Sequence, residues 1–132
     1  MKEAFVIWGS LEVPKLFANC HHSSRLVKNA HPILKQAVSL ARFEQDPLVE
    51  VLNLWSFVPS ENQTLGLTLH PLQKLINQAK LSEALEEINI QVVNAIGVDL
   101  NRVLEHDHMH VLLSFVSGLG PRRARKFIQT LT

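Results

Sequence analysis

The sequence holds a single cysteine, Cys20, so no disulfide can close within the chain, and a reducing compartment is its expected setting. No apolar run approaches the roughly 20 residues needed to cross a bilayer, so no membrane span is expected. The first apolar run, "AFVIWG" at 4–9, follows Lys2 and Glu3 and is too short for the core of a signal peptide. Internal repeats and low-complexity tracts are missing. So are a Walker loop, a nucleophile elbow and the Cys/His spacing of a structural zinc site. Charge is scarce as well: 19% of residues are charged and the net charge is +1, so the whole chain is no polyanion binder by charge alone.

What is present is apolar material and an uneven distribution of charge. Apolar residues make up 46% of the 132, enough to expect a packed core rather than disorder. Residues 118–132 carry Arg122, Arg123, Arg125 and Lys126 and no acid, a local +4 that leaves −3 on the rest of the chain. A cationic end on a mildly acidic body suits a nucleic-acid partner.

Periodicity predicts a mainly helical chain. "AFVIWG" reads as a buried strand ended by Gly9, and "TLGLTL" (64–69) alternates weakly enough to suggest a second, short one. One strand cannot stand alone, so the rest of its sheet is expected from chain preceding residue 1. "PKLFAN" predicts one or two helical turns, and 20–32 a polar loop with a short helix. Ile33, Leu34, Ala37, Val38 and Ala41 share one helical face. Asp46-Pro47 ends that helix and caps the next, with proline at its first position. Leu81, Ala84, Leu85, Ile88, Val92, Ala95 and Ile96 keep helical spacing over four turns, with Ser82 as the expected cap and Gly97 as the terminating left-handed residue. A short helix is expected around 108–116, burying Leu112, Leu113 and Val116. Pro121 opens a last one, with Ala124, Phe127, Ile128 and Leu131 inward and Arg122, Arg125, Lys126 and Gln129 outward.

The stretch "SGLGPRRARKF" (117–127) carries the chemistry. A bare G-x-G is most often a turn between core helices. Here Leu113, Val116, Gly118, Leu119, Gly120 and Ala124 fall in the register of a helix-hairpin-helix. Glycine serves where φ is positive or backbones approach closely. Leu119 plugs the small core between the helices, Pro121 needs no N–H in the first helical turn, and Ala124 is small where the helices cross. The free N–H groups of the turn and the following helix then suit a phosphate, and the cations add long-range attraction. The candidate nucleic-acid-binding residues are Gly118, Leu119, Gly120, Arg122, Arg123, Arg125 and Lys126. Phosphate rather than base recognition is expected, since no aromatic residue interleaves this cluster to stack bases.

Other polar groups make weaker cases. His106 and His110 of "HDHMH" could share a helix face, but no third metal ligand is evident. Asp46 is better read as a helix cap than as a nuclease acid, because a two-metal nuclease needs several converging carboxylates. Cys20 beside His21 and His22 does not make a catalytic dyad by adjacency alone. No catalytic residue, metal or cofactor is expected.

"VNAIGVDLNRV" followed by "SGLGPRRA" resembles the Tex and suppressor-of-Ty-six family, large bacterial and eukaryotic transcription factors. "VIWGSLEVPKLFANC", "HPILKQAVSLARFEQDPLVEVLNLW" and "LGLTLHPLQKL" agree with it in order. The resemblance covers nearly the whole chain and leans toward the eukaryotic, nuclear branch. It implies a mainly α chain, in which residues 1–65 form the C-terminal part of an RNase-H-like (YqgF-type) α/β domain without a working nuclease centre. Residues 66–132 would begin a helix-hairpin-helix domain. It further implies an elongation factor and histone chaperone whose intact form meets DNA, RNA polymerase II, nucleosomes and histones. Arg123, Arg125 and most of "EHDHMH" depart from the family pattern. Two other roles remain open at this point: part of an active junction nuclease, and a purely architectural segment.

Overall fold

The computed structural model describes residues 4–131. The first half holds α1 (Glu12–Asn19), α2 (His21–Leu26), α3 (Pro32–Gln45) and α4 (Pro47–Leu52). The second holds α5 (Gln78–Ile96), α6 (Leu100–Glu105), a nine-residue 3₁₀ helix (Asp107–Phe115) and α7 (Gly120–Leu131). Short 3₁₀ turns at Pro59–Glu61, Gln63–Gly66 and Pro71–Leu75 link the halves.

Most helix starts are set by a side chain that accepts a backbone N–H. Asp46 accepts from Val49 N–H at 3.4 Å, with Pro47 as the first residue of α4, and Asp99 accepts from Asn101 and Arg102 at the start of α6. Two His-Pro pairs work alike. The His31 Nδ1 accepts from Ile33 N–H at 3.3 Å, and the His70 Nδ1 from Leu72 N–H at 3.1 Å. The expected cap Ser82 is not the one used. α5 begins earlier, and Asn77 accepts from Ala79 N–H at 2.8 Å. Gly97 ends α5 with φ +83° and ψ 169°. This is the glycine-favoured region of extended ψ rather than the left-handed helical conformation expected.

The expected strands do not form; no strand occurs among the described residues. Residues 4–9 have no regular structure, and Phe5, Val6, Ile7 and Trp8 stand exposed. A strand exists only through bonds to a neighbour, and no described segment supplies one. At 64–69 the N–H groups go elsewhere. Gln63–Gly66 is a 3₁₀ turn, Thr68 N–H donates to Glu12 at 2.9 Å, and Leu69 N–H donates to Gln73 at 2.9 Å.

Two apolar clusters organise the helices. The smaller joins Val13, Phe17, Cys20, Leu54 and Leu67. The larger draws on both halves: Val49, Leu52 and Trp55 meet Val93, Val103, Met109, Leu112, Leu113, Phe115 and Ala124. Edge-on packing of Trp55 on Phe115 (6.1 Å) and stacking of Phe57 on Phe115 (5.7 Å) reinforce the joint. The Asn53 amide adds a polar tie, donating to Val49 O and to His108 O, each at 3.0 Å.

Helical periodicity locates α3 and α5 but not their buried sides. Of the α3 stripe, Ile33, Leu34, Ala37 and Ala41 are exposed; the residue it buries fully is Ser39. α3 packs along α1 and α4, so its inner face is the one that meets the equally buried Glu50, and Ser39 Oγ donates to Glu50 Oε1 at 2.5 Å. In α5 only Val93 is fully buried, while Ala84, Ile88, Ala95 and Ile96 face solvent.

Burial pushes the Glu50 carboxyl above the usual carboxylate range, against the opposing pull of Ser39 and Arg42. A raised folded-state pKa means that this group's contribution is fully present below the unfolded carboxylate value near 4.3 and is lost as pH rises through the folded value. Glu50→Gln, which cannot ionise, should therefore gain stability relative to the unmodified chain as pH rises from about 4 to 7. Thermal melts of both across that range check this; a difference independent of pH overturns it. Glu50→Ala, which leaves Ser39 unpaired, should be destabilised by about 2 kcal/mol at pH 5.

Candidate nucleic-acid interface

The hairpin is built between the 3₁₀ helix and α7. In a 3₁₀ helix side chains at i and i+3 eclipse, and Met109, Leu112 and Phe115 repeat at that interval. All three are buried, together with Leu113. The element at 108–116 was expected as a short helix; it is a long 3₁₀ one, and Val116, expected to be buried, caps it half-exposed. α7 then lays Ala124 (2% exposed) into the larger core, with Phe127 and Ile128 beside it. Leu131, expected inside, is exposed.

Between them the chain turns on two glycines. Gly118 has φ +85° and Gly120 φ +61°, a region disfavoured for residues with a Cβ. Leu119 N–H donates to Val116 O at 3.0 Å, closing the turn, and the Leu119 side chain packs against the larger core. A Cβ built on either glycine would meet no atom within 4 Å, so the outer side of the turn is open. The first turn of α7 adds N–H groups that have no acceptor within the helix, Pro121 having none to offer.

The cations divide. Arg122, Arg125 and Lys126 are exposed on α7, and no ion pair engages them among the described residues. Arg123 is exposed too, but its guanidinium folds back to donate to Gly118 O at 2.9 Å. Sequence reasoning also missed Asn94 of α5. Its Nδ2 donates to Phe115 O and its Oδ1 accepts from Ser117 N–H, both at 3.0 Å. No local pattern announces a contact between residues 21 and 23 positions apart; the available signal was membership of the "VNAIGVDLNRV" stretch.

The other polar candidates are placed elsewhere. Among the described residues no group of three or more His, Cys, Asp or Glu converges as a metal site would. The His106 and His108 rings lie 5.6 Å apart, and His110 Nε2 is 4.0 Å from Asp107. Burial, then the charge of Arg42, lowers the His108 pKa to about 4. Asp46 caps α4 and sits 3.9 Å from the Arg102 guanidinium. Cys20 is buried with its thiol against Asn53 O, and burial raises its pKa, the opposite of what a nucleophilic thiolate needs. No helix among the described residues is long and apolar enough to cross a membrane.

Comparison with known proteins agrees with the hairpin geometry. Residues 62–132 match a family described as a helix-hairpin-helix motif. The transcription elongation factor SPT6 of Candida albicans is 34% identical over 126 residues, covering 96% of this chain and 9% of that protein. The factor of the same name from Drosophila melanogaster is 35% identical over 123 residues, 91% of this chain and 6% of the relative. The suppressor of Ty 6 homolog of Caenorhabditis elegans is 39% identical over 100 residues, 76% of this chain and 6% of the relative. The chain thus spans less than a tenth of the length of these curated relatives.

The environment of His108 has a measurable consequence. A folded-state pKa below the ordinary value near 6.5 means that the unfolded chain binds this proton first, so stability falls as pH drops from about 6.5 to 4. His108→Asn should flatten that part of the profile, by about 1–2 kcal/mol once solvent screening is allowed for. Chemical denaturation at pH 7, 5.5 and 4 checks it; parallel profiles overturn it.

Proposed function

This chain belongs to the suppressor-of-Ty-six family, with a helix-hairpin-helix second half, and we propose that it contributes sequence-independent binding of DNA backbone phosphates within a nuclear transcription elongation factor and histone chaperone. The observation that carries this reading is the open outer side of the hairpin. Gly118 and Gly120 turn peptide rather than side chain outward, and the exposed Arg122, Arg125 and Lys126 stand on the helix that follows. Backbone donors at a helix start hold a phosphate, and neighbouring cations add salt-sensitive attraction without reading bases.

The role is binding, with no bond-making step. Its relatives are named as elongation factors, and Asp46, the acid weighed as a nuclease candidate, caps α4. Residues 66–132 are assigned to the start of the helix-hairpin-helix domain and residues 1–65 to the end of an RNase-H-like, YqgF-type domain. The uncovered apolar side chains of residues 5–8 and of the outer stripe of α3 support the second assignment, since a sheet and its covering helix need each other's apolar faces. RNA polymerase II, nucleosomes and histones are partners of the intact factor on this reading.

Titrating a labelled DNA duplex with the chain at increasing salt tests the proposal. Affinity should fall linearly on logarithmic axes, and Arg122→Ala, Arg125→Ala and Lys126→Ala should each lower the slope by about 1. Gly120→Val should weaken binding by roughly tenfold, the equivalent of one or two lost backbone contacts. Its effect on folding should stay near 1–2 kcal/mol, since the new side chain meets positive φ but open space. Unchanged binding by Gly120→Val, or the absence of salt-dependent association, overturns the reading and leaves an architectural segment.

A further inference from the structure

Asn94 lies in the last turn of α5, three residues before Gly97, and its side-chain amide is fully engaged. One Nδ2 hydrogen goes to Ile90 O, one turn back in the same helix; the other goes to Phe115 O at 3.0 Å. Oδ1 accepts from Ser117 N–H at 3.0 Å, and because a backbone N–H only donates, this contact fixes which end of the amide is oxygen. The bond to Ile90 anchors the side chain to its own helix. The other two grip the residues on either side of Val116, where the 3₁₀ helix ends and the hairpin begins.

Taken with its neighbours, this grip has an electrostatic sense. Three carbonyls of the turn carry protein donors: Phe115 O takes Asn94, Val116 O takes Leu119 N–H, and Gly118 O takes the Arg123 guanidinium. A carbonyl oxygen facing outward would repel a phosphate. With these three carbonyls engaged, and with the Ser117 and Leu119 N–H groups bonded within the protein, an anion would meet the N–H groups of Gly118, Gly120 and the first turn of α7, beside the exposed cations.

We propose that Asn94 is a positioning residue of the anion-binding hairpin. It engages the Phe115 carbonyl and holds the Ser117 peptide so that the N–H groups of Gly118, Gly120 and the start of α7 stand ready for a phosphate. Arg123 serves the same end at Gly118, which separates it from Arg122, Arg125 and Lys126 as contacts of the phosphate itself. This role rests on the nucleic-acid reading above.

The test compares the unmodified chain with Asn94→Ala and Arg125→Ala, each titrated against the same labelled DNA duplex over a range of salt. Asn94→Ala should lose roughly tenfold in affinity, in keeping with two hydrogen bonds, while its salt slope stays that of the unmodified chain because no cation is removed. Arg125→Ala should lower the slope. Amide hydrogen exchange should show Ser117 losing protection in Asn94→Ala while Val93 and Val103 keep theirs. Should Asn94→Ala lose the fold, Asn94→Ser, which stays neutral and is too short to reach both Phe115 and Ser117, takes its place, with Ser117 exchange and the affinity as its readouts. Affinity unchanged on removing the Asn94 contacts, with the unmodified chain binding, overturns the positioning role and leaves the nucleic-acid reading intact. If the unmodified chain binds no DNA, that reading fails and the role falls with it, even where Ser117 exchange shows that the clip exists.

Discussion

Packing of α4 and Trp55 against the 3₁₀ helix is the contact on which the rest depends. Val49, Leu52 and Trp55 belong to the first half of the chain, and Met109, Leu112, Leu113 and Phe115 to the second. A 3₁₀ helix of nine residues is longer than such helices usually persist, because the hydrogen-bond geometry of this helix type is poorer than that of an α-helix. Three buried side chains on its eclipsed face hold it in place. The hairpin begins where that helix stops, so the orientation of the turn follows from a core assembled by residues distant in sequence. The Asn53 bond to the His108 carbonyl ties down the other end of the same helix.

What could be read from the sequence follows the range of the interactions concerned. The hairpin was legible because glycine conformation, a proline in the first turn and a small residue at the crossing are local chemistry, and Gly118, Gly120, Pro121 and Ala124 stand in that register. α3 and α5 were legible as helices because periodicity is local too. Their buried faces were not, because burial is decided by whatever packs against the helix. Ser39 turns inward because Glu50 waits there, which no pattern of apolar residues announces. The interval of three among Met109, Leu112 and Phe115 is the eclipsed spacing of 3₁₀ geometry. Asn94 and the unpaired state of residues 4–9 depend on contacts made or missing far along the chain.

The polar interior is sparing, and several of its hydrogen bonds lie where helices meet. Glu50, Ser39, Asn53 and Ser23 are buried, and each has a hydrogen-bonding partner within the first half or across to the 3₁₀ helix. Such contacts add little net stability but penalise alternatives, since any shift of α3 against α4 would leave a carboxyl group and a hydroxyl unpaired. They set the register between helices whose apolar residues alone would tolerate sliding.

Phe5, Val6, Ile7 and Trp8 have a further consequence, which concerns the behaviour of the chain as a solute. Four large apolar side chains on a backbone that pairs with no strand among the described residues form a ready template for edge-to-edge pairing. In a concentrated solution the first neighbour offering both hydrogen bonds and apolar contact is another copy of the same segment. Colloidal behaviour of the isolated chain would then be governed by these few residues, at the opposite end of the sequence from the hairpin, and its solubility would report on a different part of the molecule from its affinity.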